Sequence, residues 1–265
     1  MKITSRDNSL LREAHAVRDG KIDELIYVEG LRLSVEALRS QLDIEAVIVS
    51  EQLASKEKVA AAIDELARAS RRVASVSEKL LESISYTKTP QGIVVLARRP
   101  ESSEQRLAQS LQKNSLLIVL HQINNPVNVG AIVRTAEAAG ATGIVTTQNT
   151  SDPFSPKALR GAMGSAFRLP IWRDAEFNEA VEWCRSKQIA LVGTDADATL
   201  KHTAWDWTRA TALVLGPEST GLHDEELQAT DQTVSIPMHG EVESLNVSVA
   251  AGILLYEAAR QRSID

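Results

Sequence analysis

The apolar positions of this chain fall into two regimes. Up to about residue 100, short apolar or alternating runs are interleaved with stretches spaced for helices. Asn8 to Arg18, Leu33 to Gln41 and Lys56 to Ala69 predict helices, and Glu24 to Glu29, Ala46 to Val49, Val73 to Val76 and Gln91 to Ala97 predict strands. The polar, proline-broken stretch from Arg98 to Glu104 reads as a linker, and Gln105 to Lys113 as a short linking helix. From about residue 114 strand and helix patterns alternate: Leu116–Leu120, Ile132–Ala139, Gly143–Thr147, Lys157–Met163, Glu176–Ser186, Ile189–Gly193, Ala212–Leu215, Asp224–Gln228, Val234–Ile236 and Leu245–Gln261. Such alternation predicts an α/β domain with a mostly parallel sheet covered by helices. The expected division is a small α/β domain over 1–100, a linker over 101–113 and a second domain over 114–265.

Three of the predicted strands run into short polar segments. Leu116–Leu120 leads to Asn124-Asn125-Pro126-Val127-Asn128-Val129-Gly130 and on to Arg134; Ala212–Leu215 leads to Gly216-Pro217-Glu218-Ser219-Thr220-Gly221-Leu222; Val234–Ile236 leads through Pro237, Met238 and His239-Gly240-Glu241 to Ser244-Leu245-Asn246. Ligands of open α/β sheets sit at the carboxyl ends of strands, so three such junctions point to one composite site. Asn128 reads as an N-cap, with Arg134 about one and a half turns on. An arginine flanked by Ile132, Val133 and Ala136 is either an exposed side chain on a capped helix or a recognition group for phosphate or carboxylate. Gly216 and Gly221 let backbone approach a ligand, and Glu218 between them is a site residue or a turn residue. Ser244 reads as the N-cap of the last helix, which places Asn246 in its first turn, where propensity does not favour it.

Composition narrows the classes. A 43% apolar and 24% charged chain of 265 residues is ordinary for a soluble globular protein. No apolar run reaches the length of a membrane span, and Met1 to Asp7 lacks the apolar core of a signal peptide. The single cysteine, Cys184, excludes an intramolecular disulfide and a multi-cysteine zinc site, so a cytoplasmic location is expected. The five histidines include no i,i+4 pair, and no metal is expected. Cys184 beside Trp183 reads as a packed small hydrophobe, and Trp205 and Trp207 as packing or partner-surface residues. Neither G-x-G-x-x-G after a strand nor a P-loop is present. The net charge of −6 resides wholly in residues 111–265, because residues 1–110 balance 17 basic against 17 acidic side chains. Nucleic-acid binding depends on local patches, so the acidic total does not exclude an RNA partner.

Asn-x-Gly-x-x-x-Arg at 128–134, Gly-Pro-Glu-x-x-Gly-Leu at 216–222 and Ile-Pro-Met with Ser-Leu-Asn-Val-Ser at 236–248 resemble, in order, the three motifs of the SpoU–TrmH branch of the SPOUT methyltransferases. Ser155-Pro156-Lys157 to Pro170, with Arg160, Gly164 and Phe167, is similar to that family's connecting segment. Ala162 stands where a serine is expected, and Asn125-Pro126 where many relatives have Asp-Pro. Ile3-Thr4-Ser5 with Asn8, Tyr27-Val28-Glu29-Gly30 and Thr87 to Gly92 resemble the L30e-like substrate-binding domain of relatives that modify ribosomal RNA.

The resemblance implies a C-terminal trefoil-knotted SPOUT fold, a homodimer, and transfer of a methyl group from S-adenosyl-L-methionine to a ribose 2′-hydroxyl of RNA, with 23S ribosomal RNA the expected substrate. It further implies catalytic roles for Arg134, Asn128, Glu218, Ser244 and Asn246. Its cofactor-binding residues would be Thr194 at the pocket floor, Leu215, Gly216, Glu218, Gly221, Ile236, Met238, Ser244, Leu245 and Asn246. A catalytically inactive RNA-binding protein of the same fold, transfer RNA as substrate, and a nucleotide-dependent metabolic enzyme are the alternatives.

Overall fold

The computed structural model describes residues 1–240, 242 and 244–263. In chain order the elements are β1 (Lys2–Ile3), α1 (Ser9–Arg18), β2 (Leu25–Glu29), α2 (Leu31–Arg39), β3 (Ile44–Ser50), α3 (Glu51–Ala54), α4 (Glu57–Ala69), β4 (Ser70–Val76), α5 (Glu78–Ile84), β5 (Ile93–Arg98) and α6 (Glu104–Gln109). There follow β6 (Leu116–Leu120), α7 (Pro126–Ala138), β7 (Gly143–Thr147), α8 (Pro156–Ala162), α9 (Ser165–Arg168), β8 (Ile171–Ala175), α10 (Phe177–Ser186), β9 (Ala190–Thr194), a 3-10 turn (His202–Ala204), β10 (Thr211–Leu215), α11 (Asp224–Gln228), β11 (Gln232–Val234) and α12 (Val247–Arg262). Two compact units result: Met1–Pro100 with Phe154–Arg168, and Glu101–Pro153 with Leu169 onward.

The first unit holds a sheet in the order β1-β4-β3-β5-β2. β1, β4 and β3 run parallel, and β5 is antiparallel to both β3 and β2. α1 turns Leu10, Leu11, Ala14 and Val17 onto one face of this sheet, where they join Tyr27, Ile48, Val94 and Leu96. The buried Tyr27 hydroxyl donates to the Ile84 carbonyl at 2.7 Å, which satisfies its one polar atom. Glu29, also buried, accepts from Tyr86 N, Thr87 N and Thr87 Oγ1 at 2.9, 3.2 and 2.5 Å, and so shapes the loop before β5. α5 was absent from the pattern-based expectation. Its seven residues give too few turns for periodicity, and the Ser77 side chain, accepting from Leu80 N, sets its start. Arg168 at the end of α9 reaches Glu36 of α2 at 2.9 Å, one reason the segment from 154 to 168 belongs with this unit.

The second unit holds a sheet in the order β11-β9-β10-β6-β7-β8, parallel throughout. Central strands of parallel sheets are covered on both faces, and β6 and β10 are accordingly apolar-rich and buried at every position. The core joins Leu117, Val119, Val145 and Val214 to Trp172 and Trp183, whose rings meet edge-on with centroids 5.5 Å apart. β8, not anticipated, reads Ile-Trp-Arg-Asp-Ala, and only three of its five residues are buried. An edge strand this short and polar has no distinguishing rhythm. Trp207 is fully buried with its indole N–H donating to His202 O at 2.8 Å, so packing is its role.

Three boundaries differ from the sequence reading, two of them through capping. Asn125, not Asn128, caps α7, its side chain accepting from Val127 N, and Pro126 occupies the first turn, where a missing N–H costs nothing. Asn246, not Ser244, caps α12 by accepting from Ser248 N, so its poor helix propensity is no penalty. β11 ends at Val234, two residues before Ile236. Of the expected loop through His239-Gly240-Glu241, Glu241 lies outside the described residues.

The stretch expected as linker contains α6, and its Leu107 is fully buried in the second core. Leu107→Ala is therefore expected to lower unfolding stability by about 2–5 kcal/mol, measured by chemical denaturation; a change near zero would mean that α6 merely tethers. Burial, aided by the charge of Asp231, pushes the Cys184 thiol up to about 12, so the thiolate is scarce at neutral pH. Cys184 is expected to stay unlabelled by a thiol reagent in the native protein and to react once denaturant is added.

Candidate functional site

Parallel strands bring their carboxyl ends to one edge of the sheet. In the second unit the chain winds outward from β6 through β7 and β8, then crosses to the opposite side for β9, returns to β10 beside β6, and ends at β11 on the far edge. That reversal between β6 and β10 is a topological switch point, where such sheets open a crevice. Beside it, at the carboxyl ends of β9, β10 and β11, lies a cavity of about 340 Å³ walled by Thr194–Ala196 after β9, Leu215–Leu222 after β10, and Val234, Ile236, Met238, Ser244 and Leu245 after β11. Val247, Ala250 and Leu254 of α12 complete it. Its size falls within the range of small-molecule sites.

The loop after β10 has a shape that its glycines dictate. A Cβ on Gly216 would lie 2.6 Å from Leu222 N and 2.7 Å from Gly221 C, closer than real atoms approach. Gly221 takes a φ of +68° while its N–H donates to Pro217 O at 2.8 Å. The loop thus folds back on itself and presents main chain to the cavity. Thr194 at the end of β9 donates to Val214 O at 3.3 Å, which fixes its side chain beside β10. Among the described lining residues the charged ones are Asp195 and Glu218, both acidic; none is basic.

Above the cavity, one hydrogen-bonded chain links all three segments. Asn128 is buried in the first turn of α7; its Nδ2 donates to Glu218 Oε1 at 2.5 Å, and its Oδ1 accepts from Asn246 Nδ2 at 3.3 Å. Asn246 Oδ1 in turn accepts from Ser248 N at 2.9 Å and Ser248 Oγ at 2.6 Å. Asn246, exposed, thus serves as helix cap and as partner of Asn128 at once. α7 and α12 run side by side in the same direction, since Asn128 meets Asn246 near their starts and Thr135 nears Gly252 further along.

Of the residues the sequence nominated for the cofactor, Thr194, Leu215, Gly216, Glu218, Gly221, Ile236, Met238, Ser244 and Leu245 all line the cavity. Asn246 does not; it turns toward Asn128. Of the nominated catalytic residues, Asn128, Glu218 and Asn246 are joined, and Ser244 lies exposed on the cavity wall. Arg134 stands apart, about two turns into α7 and on its exposed face, forming no hydrogen bond or ion pair among the described residues. Sequence reasoning passed over Asp195 and Ala196. The position that marked Thr194, the end of a parallel strand, marks them as well.

Comparison with known proteins agrees with this architecture. The SpoU rRNA Methylase family matches residues 115–256, and the MRM3-like substrate binding domain matches residues 12–95. The 23S rRNA (guanosine-2′-O-)-methyltransferase RlmB of Haemophilus ducreyi is 36% identical over 76% of this chain and 83% of its own. The 23S rRNA (uridine(2479)-2′-O)-methyltransferase of Streptomyces viridochromogenes is 33% identical over 72% of this chain and 68% of its own. Among solved structures, the SpoU methyltransferase AviRb of Streptomyces viridochromogenes in complex with AdoMet superposes with a TM-score of 0.86, at 28% identity, over 97% of this chain and 98% of that one. An AdoMet-bound rRNA methyltransferase of Sinorhizobium meliloti gives a TM-score of 0.86 at 28% identity, over 98% of this chain and 97% of that one. A cavity walled by the loops after β9, β10 and β11, the last two tied by hydrogen bonds to Asn128 of α7, is thus found in a chain that belongs to the SpoU rRNA methylase family.

Proposed function

We propose that this protein transfers a methyl group from S-adenosylmethionine to a ribose 2′-hydroxyl of 23S ribosomal RNA in the cytoplasm. The observation that carries this reading is the charge of the cavity. Its described charged residues, Asp195 and Glu218, are carboxylates. They suit a ligand bearing a sulfonium and an ammonium, and disfavour the phosphates of a nucleotide-dependent metabolic enzyme. Apolar Leu215, Ile236, Met238 and Leu245 offer a face for the adenine, and the folded-back Gly216–Leu222 main chain offers hydrogen bonds to it. The bound cofactor supplies an electrophilic methyl, so the protein's work is to align the 2′-oxygen and take up its negative charge. A guanidinium is a poor base, so the role of Arg134 is to clamp a backbone phosphate and stabilise the developing alkoxide. Asn128, Glu218, Ser244 and Asn246 orient nucleotide and cofactor around it.

The first unit supports an RNA substrate. A concavity of about 350 Å³ is lined by Lys2, Arg6 and Lys79 against a single carboxylate, Glu51. Tyr86, 45% exposed, rides on the loop anchored by Glu29 with Lys88 two residues on, a pairing suited to base stacking and phosphate contact. Homodimerisation and the knotted threading of the last helix belong to the same proposal. α12 buries Val247, Ala251, Leu254, Leu255 and Ala258 on one face yet exposes Val249, Ile253 and Tyr256 on the other. A helix apolar all round is one meant to be covered on both sides.

Labelled methyl from S-adenosylmethionine is expected to enter one 2′-oxygen of unmodified 23S RNA, located by mapping; labelling of transfer RNA instead would move the substrate, and cofactor binding without transfer to RNA or ribosomal particles would favour the inactive RNA-binding alternative. Arg134→Ala is expected to lower transfer by about 10²–10³-fold. Cofactor affinity should stay within about twofold of wild type, since the residue lies outside the cavity. Ile253→Arg is expected to shift the protein from dimer to monomer in sedimentation with its circular dichroism unchanged; a monomeric wild type would refute the dimer.

A further inference from the structure

Every exposed residue of three helices in the first unit is basic. α2 buries Leu33, Ser34 and Ala37, α8 buries Ala158, Leu159 and Ala162, and α9 buries Ser165, Ala166 and Phe167. Their exposed positions are Arg32 and Arg39 of α2, Lys157 and Arg160 of α8, and Arg168 of α9. The three helices carry one acid, Glu36, and it is already answered twice: Arg39 reaches it at 3.1 Å and Arg168 at 2.9 Å. Arg32, Lys157 and Arg160 form no hydrogen bond or ion pair among the described residues. On a chain whose net charge is −6, five cations against one carboxylate reverse the sign locally.

The helices form one surface. α8 packs against β2, the edge strand of the first sheet, and α2 packs against both β2 and β5. Gly164, between α8 and α9, takes a φ of +97° and lets the turn press on α2; a Cβ there would lie 2.9 Å from Glu36 Cβ. Ser155 caps α8 by accepting from Ala158 N at 3.4 Å, Pro156 fills its first turn, and Met163 closes it in the left-handed conformation. Lys157 and Arg160, three residues apart, thus stand about 5–6 Å from each other on one side of a fixed helix. Gly30, two residues before Arg32, lies against Gln91 of the loop that carries Tyr86 and Lys88. α4, also packed on α2, bounds the surface with Glu57, Asp64 and Glu65 against Lys58 and Arg68.

Local stability does not explain these cations. Arg32 and Lys157 lie in the first turns of their helices, where a positive charge opposes the helix dipole. Like charges at the spacing of Lys157 and Arg160 repel unless an anion lies between them. Such a face suits the phosphates of a nucleic-acid backbone. None of its exposed positions is aromatic, so nothing there stacks on a base. None is apolar, so nothing there enters a lipid surface.

We propose that Arg32, Lys157 and Arg160 form a phosphate-binding face that grips the backbone of the RNA substrate without reading its bases. The inference rests on the RNA-methylation reading and adds a contact by which the first unit holds that RNA. Two of the three cations come from the crossover between β7 and β8, so the grip of the first unit depends on chain that runs between strands of the second.

Fluorescence anisotropy with the full chain, from about 50 to 200 mM salt, tests this. The probes are a folded fragment of 23S RNA and an unrelated folded RNA of equal length. A variant with Arg32→Gln, Lys157→Gln and Arg160→Gln is expected to reduce the slope of log affinity against log salt by about two to three. It should weaken both RNAs alike, by about tenfold at 100 mM salt. In methyl transfer the loss is expected in KM, with kcat and S-adenosylmethionine affinity within about twofold of wild type, since none of the three lines the cavity. A control that removes three exposed cations outside these helices, Arg12→Gln, Lys21→Gln and Lys56→Gln, is expected to move the slope by less than about one. An unchanged slope in the face variant, an equal loss in the control, or a loss confined to the 23S fragment would each overturn the proposal. So would wild-type RNA affinity in the face variant beside lost binding to phosphatidylserine vesicles, which would make the face a lipid contact. A wild type that neither binds nor methylates RNA overturns the proposed function and this face with it, whereas transfer at wild-type KM in the face variant overturns the face alone.

Discussion

Asn128 lies buried in the first turn of α7, where an amide left without partners would cost about 1–3 kcal/mol for each unmet group. It meets that demand from two directions, giving its N–H to Glu218 and taking one from Asn246. The segments it joins are 90 and 118 residues away along the chain, so the contact forms only once the sheet is assembled. Loops at the end of a sheet are ordinarily its most mobile parts. Here three of them share one hydrogen-bonded chain that ends in the cap of α12, and a shift in one loop must break a bond in another. The position of α12 beside α7, and with it the wall formed by Val247, Ala250 and Leu254, follows from the same constraint.

The loop after β10 that walls the cavity beneath is held in shape by its backbone, which changes what sequence can vary. Gly216 has no room for a Cβ because the main chain of Gly221 and Leu222 closes against it. Pro217 restricts the loop's entry and its carbonyl receives Gly221 N, so few conformations compete with the observed one. A pocket that offers main-chain donors from a stiff loop binds without paying much to order side chains. Ser219 and Thr220, both exposed, are the positions where the loop is free to differ.

The sequence carried the parallel sheet and the cavity because both are written in local signals. Apolar runs such as Leu116–Leu120 can only be central strands, and Gly216 with Gly221 flank a polar turn at the end of another. What it did not carry depended on distance. Asn128 and Asn125 are equally good caps by composition, and only Glu218 and Asn246, far along the chain, show why Asn128 points inward while Asn125 takes the cap. Ser244 and Asn246 pose the same choice, settled by Ser248. Leu107 read as part of a short linking helix, because nothing local marks which of its residues a distant core will cover, yet the second core closes over it. The pairing of His121 with Glu226, 105 residues apart, leaves no trace in either local pattern.

Charge is unevenly placed along the chain, and this resolves the apparent conflict between an acidic protein and a polyanionic substrate. The surplus of −6 belongs to residues 111–265, and part of it, Asp195 and Glu218, faces the cavity. Placed there, the two carboxylates attract a cation and repel phosphates. Arg134 then has a distinct electrostatic setting: an exposed cation on the helix whose first turn holds Asn128, without an ion-pair partner among the described residues. A guanidinium so placed is available to a phosphate, whereas one paired to Glu218 would not be. Asn128 occupies Glu218 instead, through its uncharged amide, and so leaves the arginine's charge unspent.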